Sequence, residues 1–206
     1  MRIDLDTLEP PHRYKLLTGS VVPRPIGWIS TVDDAGERNL APYSFFQVAS
    51  TTPPVLMFSG GRREGTPKDS VRNALSTGGF VAHIADVARL EAVNLTSVEA
   101  PPNVDEFDHA GLEAVPSERV AAPRVADAPV AFECELLHHY EVPEGGNVVV
   151  FGRVVVAHVR DDLIDDAGRI DLRALDPIAR LAGTTYGTLG ELMDVTRPTW
   201  EGSSSG

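Results

Sequence analysis

The chain has 206 residues, 42% of them hydrophobic and 23% charged, which is enough for one globular domain and hardly enough for two. Thirty acids against eighteen Lys and Arg give a formal net charge of −12, which argues against a nucleic-acid partner, because phosphate binding needs a basic surplus over the contact face and the only dense basic pair is Arg62-Arg63. One cysteine, Cys134, excludes an internal disulfide and a Cys-rich zinc site, no apolar run approaches the ~20 residues of a membrane span, and no apolar stretch follows Met1, so the expectation is a soluble, cytoplasmic protein with no membrane partner.

Residues 1–22 read as a lead-in, with Pro10-Pro11 opening a short helix through Tyr14, Leu16 and Leu17 that Gly19 stops. A domain over residues 23–198 follows, entered through Pro23-Arg24-Pro25, which favours extended backbone. Ile26 to Val32 is a predicted strand, ended by the turn signal Asp33-Asp34-Ala35-Gly36. Val55 to Ser59 and Phe80 to Ile84 are two more. Between them, Thr66-Pro67-Lys68-Asp69 reads as a hydroxyl cap, a proline at the first helical position and a first-turn acid, for a helix that Gly78-Gly79 ends. A second helix is predicted over Asp86 to Ser97, and a third over about Leu172 to Leu181, with Pro177 near a break. Val130 to Val142 and Val148 to Val159 form the longest β-rich runs, joined through Pro143-Glu144-Gly145-Gly146 as a hairpin. Hairpins with few helices point to an antiparallel barrel or sandwich, and residues 199–206 read as a disordered polar tail.

Within residues 23–198 the common catalytic strings are missing: no Gly-x-Ser-x-Gly, no phosphate loop ending Gly-Lys-Ser and no Gly-x-Gly-x-x-Gly. Six histidines form no His-Glu-x-x-His, and His138 and His139 are adjacent in a strand, pointing to opposite faces, so no metal site is expected. Cys134 reads as a small core residue. Two segments stand out. Asn39-Leu40-Ala41-Pro42-Tyr43-Ser44-Phe45-Phe46 mixes small residues, which let a flat ligand approach the backbone, with aromatics that form an apolar wall; taken alone, it also fits an ordinary core-facing loop. Lys68-Asp69-Ser70 at a helix start offers free N–H groups, an ammonium and a hydroxyl to a phosphate monoester; taken alone, it also fits plain helix capping.

In their order and spacing these segments resemble the flavin reductase-like family over about residues 14–198. Arg24-Pro25-Ile26-Gly27-Trp28-Ile29-Ser30-Thr31 is similar to its opening strand, and Asn39 to Phe46 to its most recognisable motif. Pro53-Pro54 before a strand ending in Ser59, Lys68-Asp69-Ser70 with Asn73, and Glu106-Phe107 with Ala110-Gly111-Leu112 keep the family's order. Gly152-Arg153-Val154 leading to His158, then Arg180-Leu181-Ala182-Gly183 and Tyr186, resemble its closing section. Three positions depart: Ser70 stands where Thr is commoner, His83 where Asn is frequent, and Ala182 where Gly is usual.

The resemblance implies a mainly β chain with peripheral helices, a six-stranded antiparallel Greek-key split β-barrel that binds FMN near the interface of a homodimer. Carried over by position, it places Ser30 and Thr31 beside the flavin or its phosphate. Asn39 falls in the same cofactor-binding stretch as Ala41, Pro42, Tyr43 and Ser44, which edge the isoalloxazine through backbone groups; Ser59 lies by the ribityl chain, and Lys68, Asp69 and Ser70 by the phosphate. It implies NAD(P)H as hydride donor and a monooxygenase partner for the reduced flavin. The alternatives are a flavoredoxin-like electron carrier with tightly held FMN, passing electrons to or from another protein, and a flavin- or haem-binding protein without turnover. Hydride transfer needs no side-chain acid or base, and none is assigned; His158 and Tyr186 either face the substrate side or serve the structure. A net charge of −12 repels anionic nucleotides at long range, so the site must gather cations locally, from among Arg24, Arg62, Arg63, Lys68 and Arg180.

Overall fold

The computed structural model describes residues 1–101 and 104–200. A helix α1 (Pro10–Ser20) leads into the strands β1 (Gly27–Val32), β2 (Arg38–Tyr43), β3 (Phe46–Thr51) and β4 (Pro54–Gly60). Helix α2 (Asp69–Thr77), strand β5 (Gly79–Ile84) and short helices α3 (Leu90–Leu95) and α4 (Glu106–His109) follow. The long strands β6 (Val130–Glu141) and β7 (Val148–Val159) and a one-turn helix α5 (Leu172–Leu175) complete the main elements.

The seven strands make one antiparallel sheet in the order β2-β1-β5-β6-β7-β4-β3. The family resemblance implies a six-stranded split barrel; the ladder holds seven strands, and among the described residues no backbone pairing joins its two edges. Those edges are nonetheless consecutive in the chain, since only Ser44 and Phe45 separate β2 from β3. The sheet therefore curls until its edges meet. Glycine permits the approach at Gly27, where a Cβ would stand 2.4 Å from the Phe46 ring. It does so again at Gly60, where a Cβ would lie 2.3 Å from Val71 Cγ2, so α2 sits hard against the end of β4.

Both faces of β1 are covered, and every residue from Gly27 to Val32 is buried. Ile29 points inward with Phe46, Phe58, Phe80, Val71 and Val150. Trp28 points the other way, into a second cluster with Leu40, Val93, Phe107, Val125 and Ile178, and its indole N–H donates to Thr96 Oγ1 at 2.8 Å. Cys134 is fully buried in the first cluster, and burial pushes its thiol far up, which makes it unreactive at neutral pH. The β6–β7 hairpin turns through Gly145-Gly146, with Val142 N–H donating to Asn147 O at 2.9 Å. Register shifts at Glu133/Cys134 and Leu136/His138 bend it, and its outer half, from Leu137 to Val142, is exposed or half-exposed.

Several elements differ from their predicted form. Residues 38–43 and 46–51 are strands that the sequence reading did not predict, the first falling where a core-facing loop also fitted; both are edge strands, and an edge tolerates Pro42, which has no N–H to contribute. Helix α2 starts at Asp69, because Thr66–Pro67 pairs with Arg62–Arg63 as a small hairpin and Lys68 is the capping residue without a side-chain cap. The second predicted helix is a 3₁₀ turn, Val87–Arg89, followed by α3. The third stops at Leu175: Asp176 turns left-handed (φ 44°) and Pro177 bridges to Asp86. Residues 201–206 of the expected tail lie outside the described residues. No helix among the described residues is long and apolar enough to cross a membrane.

Candidate functional site

An open cleft of about 830 Å³ lies where the two edges of the sheet meet. One wall is the free edge of β2 with the link to β3: Asn39, Ala41, Pro42, Tyr43, Ser44 and Phe45. Ser59 at the end of β4, the hairpin 62–67 and the first turn of α2 (Lys68, Asp69, Ser70, Arg72) form the floor and the far end. The segment after α3 (Thr96 to Pro101), Glu106, Asn147 and Tyr14 of α1 complete the rim.

The free edge of β2 has a defined chemistry. Leu40 N–H points away from β1 and donates to Glu106 Oε2 at 3.0 Å. Alternate residues of an antiparallel strand share a direction, so the Pro42 carbonyl faces the same open side and can accept from a ligand's N–H. Helix α4 holds Glu106 in place. Arg38 Nε bonds Asp105 at 2.5 Å and its guanidinium covers the Phe107 ring at 5.6 Å, while Asp105 accepts from Phe107 N–H at 2.9 Å. Burial pushes the Glu106 carboxyl up, and the Leu40 N–H works against that.

The other wall is fixed by a hydroxyl. Asn39 Nδ2 donates to the buried Ser70 Oγ at 2.8 Å. Tyr43 packs on Phe58 with ring centroids 5.0 Å apart, and burial pushes its phenol up to about 12. The Asn39–Ser70 bond ties the first turn of α2 to β2, joining the two segments the sequence singled out. An anion at this end would be met by the N–H groups of the α2 terminus and by Lys68. Asp69 is held by Arg72 at 2.5 Å.

Of the residues expected at a cofactor, Asn39, Ala41, Pro42, Tyr43, Ser44, Ser59, Lys68, Asp69 and Ser70 all line this one cleft. Ser30 and Thr31 do not. Both are fully buried within β1; Ser30 Oγ donates to Pro123 O, and Thr31 Oγ1 accepts from Asn73 Nδ2 at 3.3 Å. His158 and Tyr186 also lie away from the cleft lining. His158 Nε2 bonds the buried Glu133 at 2.7 Å, and Tyr186 stacks under the Arg180 guanidinium at 4.6 Å. Burial pushes the Glu133 carboxyl up, but the N–H groups of Glu118 and Arg119 together with His158 outweigh that and hold it below the usual range.

Sequence reasoning placed Phe45 in the apolar wall but missed Tyr14, Glu106, Asn147 and the segment 96–101 as lining. Asn147 donates to Ser59 Oγ at 3.0 Å across a separation of 88 residues, and no local spacing signals that contact. The His83 ring, at the position where the family often has Asn, leaves neither nitrogen unpaired. Val125 N–H donates to Nε2 at 3.0 Å and Nδ1 bonds Trp28 O at 2.8 Å, which fixes the neutral tautomer.

A family profile described as flavin reductase like domain matches residues 18–173. The chain belongs to this family. Its fold matches that of nitrilotriacetate monooxygenase component B from Bacillus cereus at 37% identity and a TM-score of 0.91, covering 95% of this chain and 98% of the other. It is also similar to the 2-nitrobenzoate 2-nitroreductase NbaA of Pseudomonas fluorescens, at 29% identity and a TM-score of 0.88 over the whole of both chains. The flavoredoxin of Desulfovibrio vulgaris (Miyazaki F) shares the fold at 23% identity and a TM-score of 0.74, with 95% and 97% of the two chains covered.

Proposed function

We propose that the protein is a flavin-dependent oxidoreductase that holds FMN in the cleft and accepts hydride from NAD(P)H. The observation that carries this reading is the convergence of the Asn39–Ser44 edge and the Lys68–Ser70 turn on one cleft with unlike ends. One end is apolar and aromatic, with Ala41, Pro42, Phe45 and Tyr14; the other is polar and cationic, with Lys68, Arg63 and the α2 N-terminus. That division suits a molecule with a flat ring at one end and a phosphate at the other.

The residues present fit FMN. The Pro42 carbonyl and its neighbours along the free edge would meet the ring's polar rim, Ser59 and Asn147 the ribityl hydroxyls, and Lys68 with the helix N–H groups the phosphate. When bound, the flavin supplies the capacity to take up a hydride and release electrons again. The chain orients and shields: Tyr14 and Phe45 exclude water from the apolar end, and Lys68 neutralises phosphate charge. At about 830 Å³ the cleft lies within the roughly 300–1,000 Å³ usual for one ligand, with room for a mononucleotide. The likeness to a monooxygenase component supports delivery of reduced flavin to a partner oxygenase. A homodimer would cover Val48, Leu137 and Tyr140, which are about half exposed.

The freshly purified protein should show flavin absorption that is lost on denaturation and filtration, and it should oxidise NADH or NADPH when flavin is present. Absence of bound or acquired flavin would remove this function. Lys68 meets Glu99 only at 3.9 Å in an exposed pair, so its ammonium is free to change partners. Lys68→Ala should weaken FMN about tenfold, roughly 1.4 kcal/mol, through loss of a charge-assisted bond. An unaltered FMN dissociation constant by fluorescence titration would take Lys68 out of the site.

A further inference from the structure

Five cations could serve an anionic ligand, and the fold commits three of them elsewhere. Arg24 is 7% exposed and spends its guanidinium on the carbonyls of Thr18, Val21 and Leu181. Arg180 folds onto Gly183 O at 2.7 Å and covers Tyr186. Arg62 bonds Glu141 Oε2 at 2.5 Å, Gly146 O at 3.2 Å and Gly65 O at 3.1 Å. Arg72, which lines the cleft, is held by Asp69. Arg63 lines the cleft, is exposed, and has neither a carboxylate nor a hydrogen-bond partner among the described residues.

Its position is built. Residues 62–63 and 66–67 pair as a hairpin whose turn residues, Glu64 and Gly65, have φ of 49° and 82°, as a tight two-residue turn requires. Neighbours in a strand point to opposite faces. Arg62 reaches from one face to the β6–β7 turn and clamps the hairpin there, which leaves Arg63 on the face toward the cleft. Lys68 N–H closes the base of the hairpin by donating to Gly61 O at 3.1 Å, so Arg63 and Lys68 belong to one rigid corner.

We infer that Arg63 is a specificity residue that grips a nucleotide's phosphate ester at the cleft rim, making with Lys68 a two-cation clamp. The inference rests on the flavin reading and deepens it: the cleft selects phosphorylated ligands over their dephosphorylated forms. The phosphate is either that of FMN or that of the nicotinamide nucleotide, and these are separable. A guanidinium suits the role because its planar fork can hold two phosphate oxygens at once.

The test compares wild type, Arg63→Ala and Arg63→Lys. Flavin fluorescence titration gives the dissociation constants for FMN and riboflavin, and steady-state oxidation by the FMN-loaded protein gives KM for NADPH and NADH. Arg63→Ala should lose about tenfold either on FMN or on a nicotinamide nucleotide, with riboflavin unchanged. Arg63→Lys should recover part of the loss, and added salt should weaken wild type more than the alanine variant. An FMN loss assigns Arg63 to the flavin phosphate; a KM rise assigns it to the reductant. Equal losses on FMN and riboflavin, or no loss on any ligand, overturn the inference while leaving the flavin reading intact. Failure of wild type to bind either flavin defeats that reading instead, and this inference with it.

Discussion

Arg24→Ala should destabilise the protein by about 3 kcal/mol and weaken flavin binding at the same time. The buried guanidinium joins three pieces of chain that share no other anchor of this kind: the end of α1 through Thr18 O and Val21 O, the segment after α5 through Leu181 O, and the cleft wall through Ser44 Oγ at 3.4 Å. No carboxylate pairs with it among the described residues; the carbonyls at the C-terminal end of α1 supply the compensating negative potential. Truncation strands three acceptors, each costing ~1–3 kcal/mol when left unmet, and water entering the vacated space recovers part of that. For a chain of this length, about 3 kcal/mol corresponds to a fall in Tm of roughly 6–12 °C. Freed from Ser44, α1 would no longer hold Tyr14 against the cleft. Lysine keeps the charge but cannot span acceptors in three directions, so Arg24→Lys should behave more like alanine than like wild type. A urea midpoint for Arg24→Ala that corresponds to a loss under 1 kcal/mol would show that the joint is not needed.

The long hairpin and β1 were readable because their physics is local. Val130 to Glu141 is a long β-rich run, mostly buried over its first half, and Gly145 supplies the left-handed turn at φ 77°. The edge strands were not readable. Ala41-Pro42-Tyr43-Ser44 has neither alternation nor β-branched residues, and its strand character comes from β1 lying alongside, with Ala41 opposite Ile29 and Tyr43 opposite Gly27. Thr66-Pro67 shows how one dipeptide serves two structures. A hydroxyl followed by proline fits a helix start, yet here it closes a hairpin, because Arg62 and Arg63 are close enough to pair with it. Conversely, the side-chain caps that do form on α-helices, Asp105 accepting from Phe107 N–H and Asp171 from Arg173 and Ala174 N–H, open helices of only about one turn. In the site, most lining residues proposed to meet a ligand through backbone or through an exposed tip fell within the recognised segments. Glu106, placed by the Arg38–Asp105 pair, was marked only as part of a family block and not as lining, and Asn147, brought in through Ser59, carried no sequence signal.

The acidity of the chain and its expected anionic ligands are reconciled by where the cations go. Carboxylates also line the cleft: Glu64, Asp69, Glu99 and Glu106. Arg72 holds Asp69 and Leu40 N–H donates to Glu106, so neither carboxylate faces an arriving phosphate unpaired. Lys68 and Arg63 then act against Glu64 and Glu99 alone, at a rim where screening by salt is strong. Glu99 is the weakest of the cleft's ion-pair partners by distance, and an arriving phosphate displaces it at little cost.

Acid should destabilise the protein earlier than its carboxylates alone would dictate, because of His83. Its ring is fully buried, and burial foremost, with the charges of Arg124 and His158 adding to it, pushes it down to about 4; the bond to Trp28 O works the other way. The unfolded chain carries an ordinary imidazole that takes its proton near pH 6.5. Above that value both states are neutral and the full stability is present. Between 6.5 and about 4 only the unfolded state binds the proton, so stability falls with pH, by about 3 kcal/mol across the window, and the effect levels off once the folded ring is protonated too. Glu133, held below the usual range, loses stability in the same direction at lower pH, whereas Glu106 and Asp86, raised by burial, contribute with opposite sign. A difference measurement separates His83 from these. His83→Asn places there the residue frequent in the family; its amide can still donate to Trp28 O or accept from Val125 N–H, and it cannot titrate. Urea midpoints of wild type and His83→Asn, taken from pH 7 to pH 4, should converge as pH falls, with the variant showing the flatter profile. Parallel profiles would mean that His83 is protonated alike in both states and that its neutral tautomer is not what holds Trp28 O and Val125 N–H together.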